Sequence, residues 1–241
     1  AWIANRNALL ALFFGVLCLF AHIRWRETTK LAWLGCAVLM LTASVHANEG
    51  GIATCGYLFA YAIVLDRSKL AMKLATLAPY ALVILVWRAV YSASGFGALG
   101  SPTYIDPGAT PIRFAYAFVQ RAPILLANQF TNVLSEPFDF LPPAPKLMYW
   151  AVALGALAIC AVAFRPVLLR SRPARFFALG AMLSVIPAAS TFPSGRLLAF
   201  ASVGGAALIS EFLIWALADG PRKGLFYRAI AVAMIVSHVV I

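Results

Sequence analysis

Apolar residues in this chain are gathered into blocks of about 15 to 20 residues that short polar breaks separate. The blocks cover residues 8–23, 31–47, 50–65, 74–91, 147–164, 176–190, 197–217 and 225–241. In a bilayer each backbone N–H and C=O must be paired within its own segment, so apolar blocks of this length are predicted to be helices. The strands of a membrane barrel would instead alternate polar and apolar residues. The pattern predicts an all-α, polytopic transmembrane helix bundle with about 8 spans.

Composition agrees with this pattern and excludes a soluble domain. Hydrophobic residues make up 63% of the 241 positions and charged residues only 11%, with a mean hydropathy of +0.89. Soluble domains carry roughly 25% charged residues. The chain is therefore expected to form a single transmembrane domain over 1–241, with the lipid bilayer as a partner. Because it starts at Ala1 and shows no cleavage site after its first apolar block, it is expected to be a fragment of a longer chain.

The net charge of +11 is concentrated in short loops between the apolar blocks. Four loops hold thirteen of the nineteen basic residues, namely Arg24, Arg26, Lys30, Arg67, Lys69, Lys73, Arg165, Arg170, Arg172, Arg175, Arg222, Lys223 and Arg228. The alternate loops at 46–51, 91–111, 136–146 and 187–196 contain few basic residues. Basic loops of polytopic proteins face the cytoplasm, so the poor loops and the amino terminus are predicted to lie outside. This predicts a multi-pass membrane protein, with no nucleic acid as partner.

The stretch from Pro111 to Ser135 does not fit the simple alternation. It mixes polar residues such as Arg113, Gln120 and Asn128 with apolar ones, and the loops on both sides of it are predicted to be external. A single crossing would reverse the orientation of every later block. The sequence therefore predicts an external amphipathic helix or a re-entrant segment here. With its flanks it forms an external loop region at 91–146, where function often resides.

Three charged residues at external breaks are candidates for chemistry. Glu49 stands in a tight break between two apolar blocks, where an ionisable group is costly and suggests a function. Arg196 directly starts an apolar block, and Arg6 holds a similar position near the amino terminus. A guanidinium offers a planar fork of donors to a phosphate. Alternatively, Glu49 is a simple turn residue whose side chain reaches water. The two arginines would then be anchors to lipid headgroups.

Other polar side chains give less information. His22, His46 and His238 are scattered without ligand spacing, so no metal site is predicted, and the sequence identifies no cofactor. Arg88 lies between Trp87 and Tyr91, which resembles an interfacial aromatic belt with a snorkelling arginine.

Several short motifs together resemble one known group of membrane enzymes. Residues 1–10, AWIANRNALL, are similar to a stretch written V-A-W-I-S-G-R-x-D-L-L in GT-C-type membrane glycosyltransferases. These are the bacterial relatives of the transmembrane-and-tetratricopeptide-repeat O-mannosyltransferases. Further similarities lie at 48–50 (NEG, for Lys-Glu-x), 58–69, 78–80 (APY), Arg88, 104–107 (YIDP) and 196–204 (RLLAFASVG, for R-Y-L-Y-x-P-S-x-G). The chain departs from the pattern at Asn5, Asn7, Ala8 and Asn48.

The resemblance implies a protein of a bacterial plasma (inner) membrane that transfers a sugar from a polyprenyl-phosphate donor to a protein or glycan acceptor on the outer face. It implies Glu49 as the catalytic carboxylate and Arg6, Arg196, Tyr104 and Asp106 as substrate-binding residues. The acidic pair that such enzymes carry in their first external loop would lie upstream of Ala1. The sequence alone leaves open whether the chain is an enzyme. A transporter or flippase, or a non-catalytic polytopic membrane scaffold, stays as the alternative, although no internal repeat supports a transporter.

Overall fold

The computed structural model describes residues 5–97, 103–218 and 224–240, and these residues form helices and connecting turns without a β-strand. The all-α prediction is therefore confirmed for the described part of the chain. The α-helices are α1 (Arg6–Thr28), α2 (Leu31–Ala47), α3 (Thr54–Ala60), α4 (Leu70–Ala93), α5 (Pro111–Thr131), α6 (Pro143–Arg170), α7 (Arg172–Ala188), α8 (Ala199–Ala218) and α9 (Leu225–Ile235). Residues 1–4 of the first motif lie outside the described residues.

Four of these helical segments are long and apolar enough to cross a membrane, which indicates an integral membrane protein. They are Arg6–Thr28, Leu70–Ala93, Pro143–Arg170 and Gly195–Ala218. Three further apolar helices are shorter, and they are Leu31–Ala47, Glu49–Leu65 and Leu225–His238. The second of these is one rod, because a 3-10 turn over Glu49–Ala53 leads into α3 and a π-helical turn over Tyr61–Leu65 follows it. Large apolar side chains such as Phe13 and Leu85 remain exposed, as contact with lipid requires.

Successive helices run in opposite directions between the two ends of the bundle. Contacts between residues that are distant in sequence identify these ends. At the end that we call the basic end, Arg26 near the end of α1 pairs with Asp66 after α3 at 3.0 Å. At the opposite end, which we call the cavity end, the Tyr91 hydroxyl near the end of α4 donates to Glu49 before α3 at 2.6 Å. Between them, His22 of α1 bonds Tyr80 of α4 at 2.9 Å. The first four helical rods therefore run up and down as antiparallel neighbours.

Close contacts join α3 to α7 and α8 in the centre of the bundle. The buried Tyr57 hydroxyl donates to the Phe200 carbonyl at 2.7 Å and accepts from the Gly204 amide at 2.9 Å. A Cβ atom at Gly180 would lie 2.2 Å from the Tyr57 ring, and one at Gly204 would lie 2.3 Å from the Phe177 carbonyl oxygen. Only glycine permits both approaches, so these residues fix how far the three helices slide along one another.

The chain reverses after α5 and runs back along that helix. The Asn128 side chain donates to the Val133 carbonyl at 2.8 Å just after the reversal. Further back, Arg121 in the middle of α5 pairs with Asp139 at 2.9 Å. Helix α5 itself is embedded at its carboxyl-terminal end, where the Gln129 side chain accepts from Ser202 of α8 at 2.9 Å. We call residues 132–142 the return segment.

Candidate functional site

The cavity end holds a cavity of about 1040 Å³. It lies between α1, α4 and α7, the turns that precede α3 and α8, and residues 104–108. One part of its wall is apolar and includes Leu9, Ile52, Ile84, Trp87, Pro187 and Phe200. The other part is polar and carries Asn48, Glu49, Arg88, Tyr104, Asp106, Ser190 and Arg196. A cavity with both kinds of wall suits an amphiphilic ligand, because charged and apolar parts each find a matching surface.

Glu49 is held in the cavity wall by its own turn. The Asn48 side chain accepts from the Gly50 amide at 2.8 Å and so starts the 3-10 turn in which Glu49 lies. Next to it, Gly51 lies so close to the Ser44 carbonyl that a Cβ atom would be 2.5 Å from the oxygen. The Tyr91 hydroxyl then fixes one Glu49 oxygen. The carboxylate is thus oriented by the backbone below it and by a phenol beside it.

Tyr104 lies next to the same carboxylate. Desolvation by burial, followed by the negative charge of Glu49, raises the pKa of Tyr104 to about 12. The phenol therefore keeps its proton at neutral pH and acts as a hydrogen-bond donor. Two tyrosine side chains, Tyr91 and Tyr104, therefore lie next to the Glu49 carboxylate.

Arg88 and Asp106 form an ion pair that ties the segment 103–110 to α4. The Arg88 Nη2 atom lies 2.5 Å from an Asp106 oxygen, and the Gly108 amide donates to the other oxygen at 2.8 Å. Desolvation raises the pKa of the Asp106 carboxyl, but the guanidinium and the Gly108 and Ala109 amides outweigh it and hold this pKa below its ordinary value. The buried Ile105 also donates its amide to the Ser190 carbonyl at 2.7 Å. The segment is therefore fixed over the cavity at two points.

Arg196 presents a guanidinium without a carboxylate partner in the described part of the chain. It follows Gly195 at the start of the 3-10 turn that leads into α8, and its guanidinium stacks on the Phe192 ring at 5.6 Å. The side chain is exposed and lines the cavity. An unpaired cation at the wall of a cavity is a favourable place for the anionic part of a ligand.

The structure brings four of the five predicted site residues to this one cavity. Glu49, Tyr104, Asp106 and Arg196 all line it, although 147 positions separate the first from the last. Arg6 does not line it. Arg6 lies exposed in the first turn of α1, and Asn5, Ala8 and Leu9 of that region contribute to the wall in its place.

Two residues that the sequence analysis had interpreted as a membrane anchor belong to the site. Arg88 lines the cavity and pairs with Asp106, and Tyr91 bonds Glu49. The sequence signal for Arg88 was Asp106, since an acidic residue in an external region of this chain needs a nearby cation as its partner. Glu136 of the return segment was also missed, and no pattern in the sequence distinguished it.

The arrangement can bind an anion and can accept a proton. Arg196 is free to contact a phosphate oxygen, and Arg88 could share its guanidinium between Asp106 and a ligand. Glu49 is the carboxylate that an incoming hydroxyl could reach from the cavity. Among the described residues, no group of three or more His, Cys, Asp or Glu side chains is placed to hold a metal ion.

An apolar groove of about 330 Å³ adjoins the cavity on the flank of α3 and α7. It shares Ile52, Ala53, Pro107 and Pro187 with the cavity and is otherwise lined by Cys55, Gly56, Phe59, Leu183 and Ile186. The two spaces are therefore neighbours, and these four residues contribute to the walls of both. Comparison with protein-family models, with curated proteins and with solved structures finds no match to this chain.

Proposed function

We propose that this protein is a GT-C-type membrane glycosyltransferase that transfers a sugar from a polyprenyl-phosphate donor to a protein or glycan acceptor. One observation carries the proposal, and it is the cavity that joins Glu49 and the unpaired Arg196 to an apolar wall. A polyprenyl-phosphate sugar is an amphiphile whose phosphate needs cations and whose chain needs apolar surface. The groove between α3 and α7 offers such a surface next to the polar wall.

The transfer itself requires a base and a stabilised leaving group. The acceptor hydroxyl attacks the anomeric carbon of the sugar while the bond from that carbon to the phosphate oxygen breaks. Glu49 takes the proton of the hydroxyl, and the polyprenyl phosphate leaves as an anion. Arg196, assisted by Arg88, stabilises the charge that grows on the phosphate oxygens. Tyr91 and Tyr104 keep the Glu49 carboxylate in place for this step.

The proposed arrangement in the membrane has eight crossings and one re-entrant segment. The crossings are α1, α2, the rod 49–65, α4, α6, α7, α8 and α9. The basic end faces the cytoplasm because positive loops are retained there, and the cavity end faces outward in a bacterial inner membrane. Helix α5 with the return segment is the re-entrant element, since the chain enters and leaves on the same side.

Cysteine labelling checks this orientation. In a background without the native cysteines, Gly97→Cys and Ala144→Cys are expected to react with a membrane-impermeant maleimide on intact cells, because both positions are exposed near the cavity end. Lys69→Cys, which is exposed at the basic end, is expected to react only after permeabilisation. The reverse pattern of reactivity would show that the cavity faces the cytoplasm.

Close packing below the cavity favours an enzyme over a transporter. Tyr57 fills the space between α3, α7 and α8 and is fully buried, with its hydroxyl bonded to α8 on two sides. Gly180 and Gly204 leave no room around it. A ligand that enters from the cavity end meets this packed layer, so the cavity suits chemistry at one membrane face.

A binding comparison tests the proposed ligand class. We expect the purified protein in lipid nanodiscs to bind farnesyl phosphate about 10-fold or more tightly than farnesol, because a charge-assisted contact contributes roughly 1.5–3 kcal/mol. Inorganic phosphate, which lacks the chain, is expected to bind more weakly than farnesyl phosphate. Microscale thermophoresis measures all three affinities. Equal affinities for farnesyl phosphate and farnesol would mean that the cavity does not recognise a lipid phosphate.

A further inference from the structure

The Glu136 carboxylate of the return segment reaches across to the loop that carries Arg196. One Glu136 oxygen accepts from the Gly195 amide at 2.8 Å and from the Ser194 hydroxyl at 3.0 Å. The other oxygen accepts from the Ser135 amide at 3.1 Å. Ser194 and Ser135 are both buried, whereas Glu136 itself is half-buried. Desolvation by burial raises the pKa of Glu136. The hydrogen bonds from Gly195, Ser194 and Ser135 outweigh it and hold this pKa below its ordinary value.

The loop around Arg196 is also held by its own 3-10 turn and by the buried side chain of Leu198, which packs in a cluster with residues of α5 and α7. It runs from Ser194 into the 3-10 turn Gly195–Leu198, which begins with the Leu197 amide donating to the Ser194 carbonyl at 3.0 Å. Arg196 follows the bonded Gly195 directly, and its guanidinium lies over the Phe192 ring of the same loop and has no carboxylate partner among the described residues. The backbone just before Arg196 is therefore held by the bonds that Glu136 makes, and the backbone after it is held by the buried Leu198.

We infer that Glu136 is a positioning residue, which clasps the Ser194–Gly195 backbone and so sets where the Arg196 guanidinium stands in the cavity. The inference rests on the proposed function only for the identity of the anion. The return segment then has a role of its own, since its Glu136 holds a loop residue, Ser194, that lies 58 positions later in the sequence. Glu136 itself does not line the cavity.

A carboxylate is needed at this position because both of its oxygens accept. In Glu136→Gln the side chain keeps its shape but has only one acceptor oxygen, and its NH₂ group must face either the Gly195 amide or the Ser135 amide. Two donors would then oppose each other, which weakens one half of the clasp. Asp139 offers a matched control, since it lies in the same segment and pairs with Arg121 and Lys146.

A first experiment measures the position of residue 196 without any ligand. In a background lacking the native cysteines, Glu136→Gln is expected to change the rate at which Arg196→Cys reacts with methyl methanethiosulfonate by about 5-fold. Asp139→Asn is expected to leave that rate unchanged, and Glu136→Gln is expected to leave the rate at Arg6→Cys unchanged. Ser194→Ala removes one bond of the clasp and should change the rate in the same direction. An unchanged rate at position 196 in both clasp variants overturns the inference.

A second experiment asks whether Glu136 acts through Arg196. Glu136→Gln is expected to weaken farnesyl phosphate binding about 10-fold in the otherwise natural protein and to have no further effect in Arg196→Gln. A merely structural role would weaken binding equally in both backgrounds, and that result would contradict the positioning role. If the natural protein does not bind farnesyl phosphate, the proposed function fails, and the labelling rates alone decide whether Glu136 positions residue 196.

Discussion

Glu49→Gln is expected to lower the rate of sugar transfer by about 10²- to 10⁴-fold, the contribution that a general base makes to such reactions. Glutamine has nearly the same shape and can still accept the hydrogen bond from Tyr91, so the turn before α3 should stay intact. It cannot take a proton from the acceptor hydroxyl at neutral pH. The variant therefore separates loss of the base from loss of structure.

The measurement is transfer from polyprenyl-phosphate mannose in membranes that contain the whole protein, normalised to protein level. Glu27→Gln is the matched control, because Glu27 is an exposed glutamate at the basic end that pairs with Arg24 at 3.0 Å. We expect its activity to stay near that of the natural protein. If Glu49 is only a turn residue that reaches water, Glu49→Gln should also be nearly normal, and the catalytic assignment is then wrong.

Arg196→Lys is expected to weaken donor binding or transfer about 10- to 150-fold, the equivalent of one charge-assisted contact of roughly 1.5–3 kcal/mol. Lysine keeps the positive charge but is a compact ammonium that cannot place two parallel donors on a phosphate. It would also lose the contact of the Arg196 guanidinium with the Phe192 ring. The loss should therefore appear although the net charge is unchanged.

Arg6→Lys provides the control for this substitution. Arg6 lies at the same end of the bundle and has a similar exposure, but it does not line the cavity. The resemblance implies the same role for both arginines, but only Arg196 lines the cavity. We expect Arg6→Lys to retain near-normal donor affinity in the farnesyl phosphate assay. Similar losses in both variants would favour a diffuse electrostatic effect over a site at Arg196.

Helix positions followed closely from the apolar blocks of the sequence. The block 31–47 coincides with α2, and the block 50–65 differs by one residue from the rod 49–65. The block 147–164 is shorter than α6, which begins at Pro143 and ends at Arg170. Such differences arise because a helix continues through polar residues at its ends, and proline is favourable in a first helical turn. A hydropathy pattern does not record either effect.

The region 91–146 was much less predictable. Its polar residues left two possibilities open, and hydropathy could not separate them. The tertiary structure embeds the end of α5 by giving these residues distant partners, such as Ala189 and Asp139 for Arg121 and Ser202 for Gln129. A polar side chain is tolerated inside a bundle when it is hydrogen-bonded, and its partner is not visible in the local sequence.

The sequence by itself determined the helical class and the approximate position of the helices, and it pointed to four residues that line the cavity. Long apolar runs suffice for the first two, because the backbone in lipid has no other way to satisfy its polar groups. Only the tertiary structure showed that Arg88 lines the cavity, that Tyr91 donates to Glu49 and that Arg6 does not line the cavity. Which side chains meet depends on how helices rotate and slide against one another, and here close approaches at Gly180 and Gly204 set that geometry.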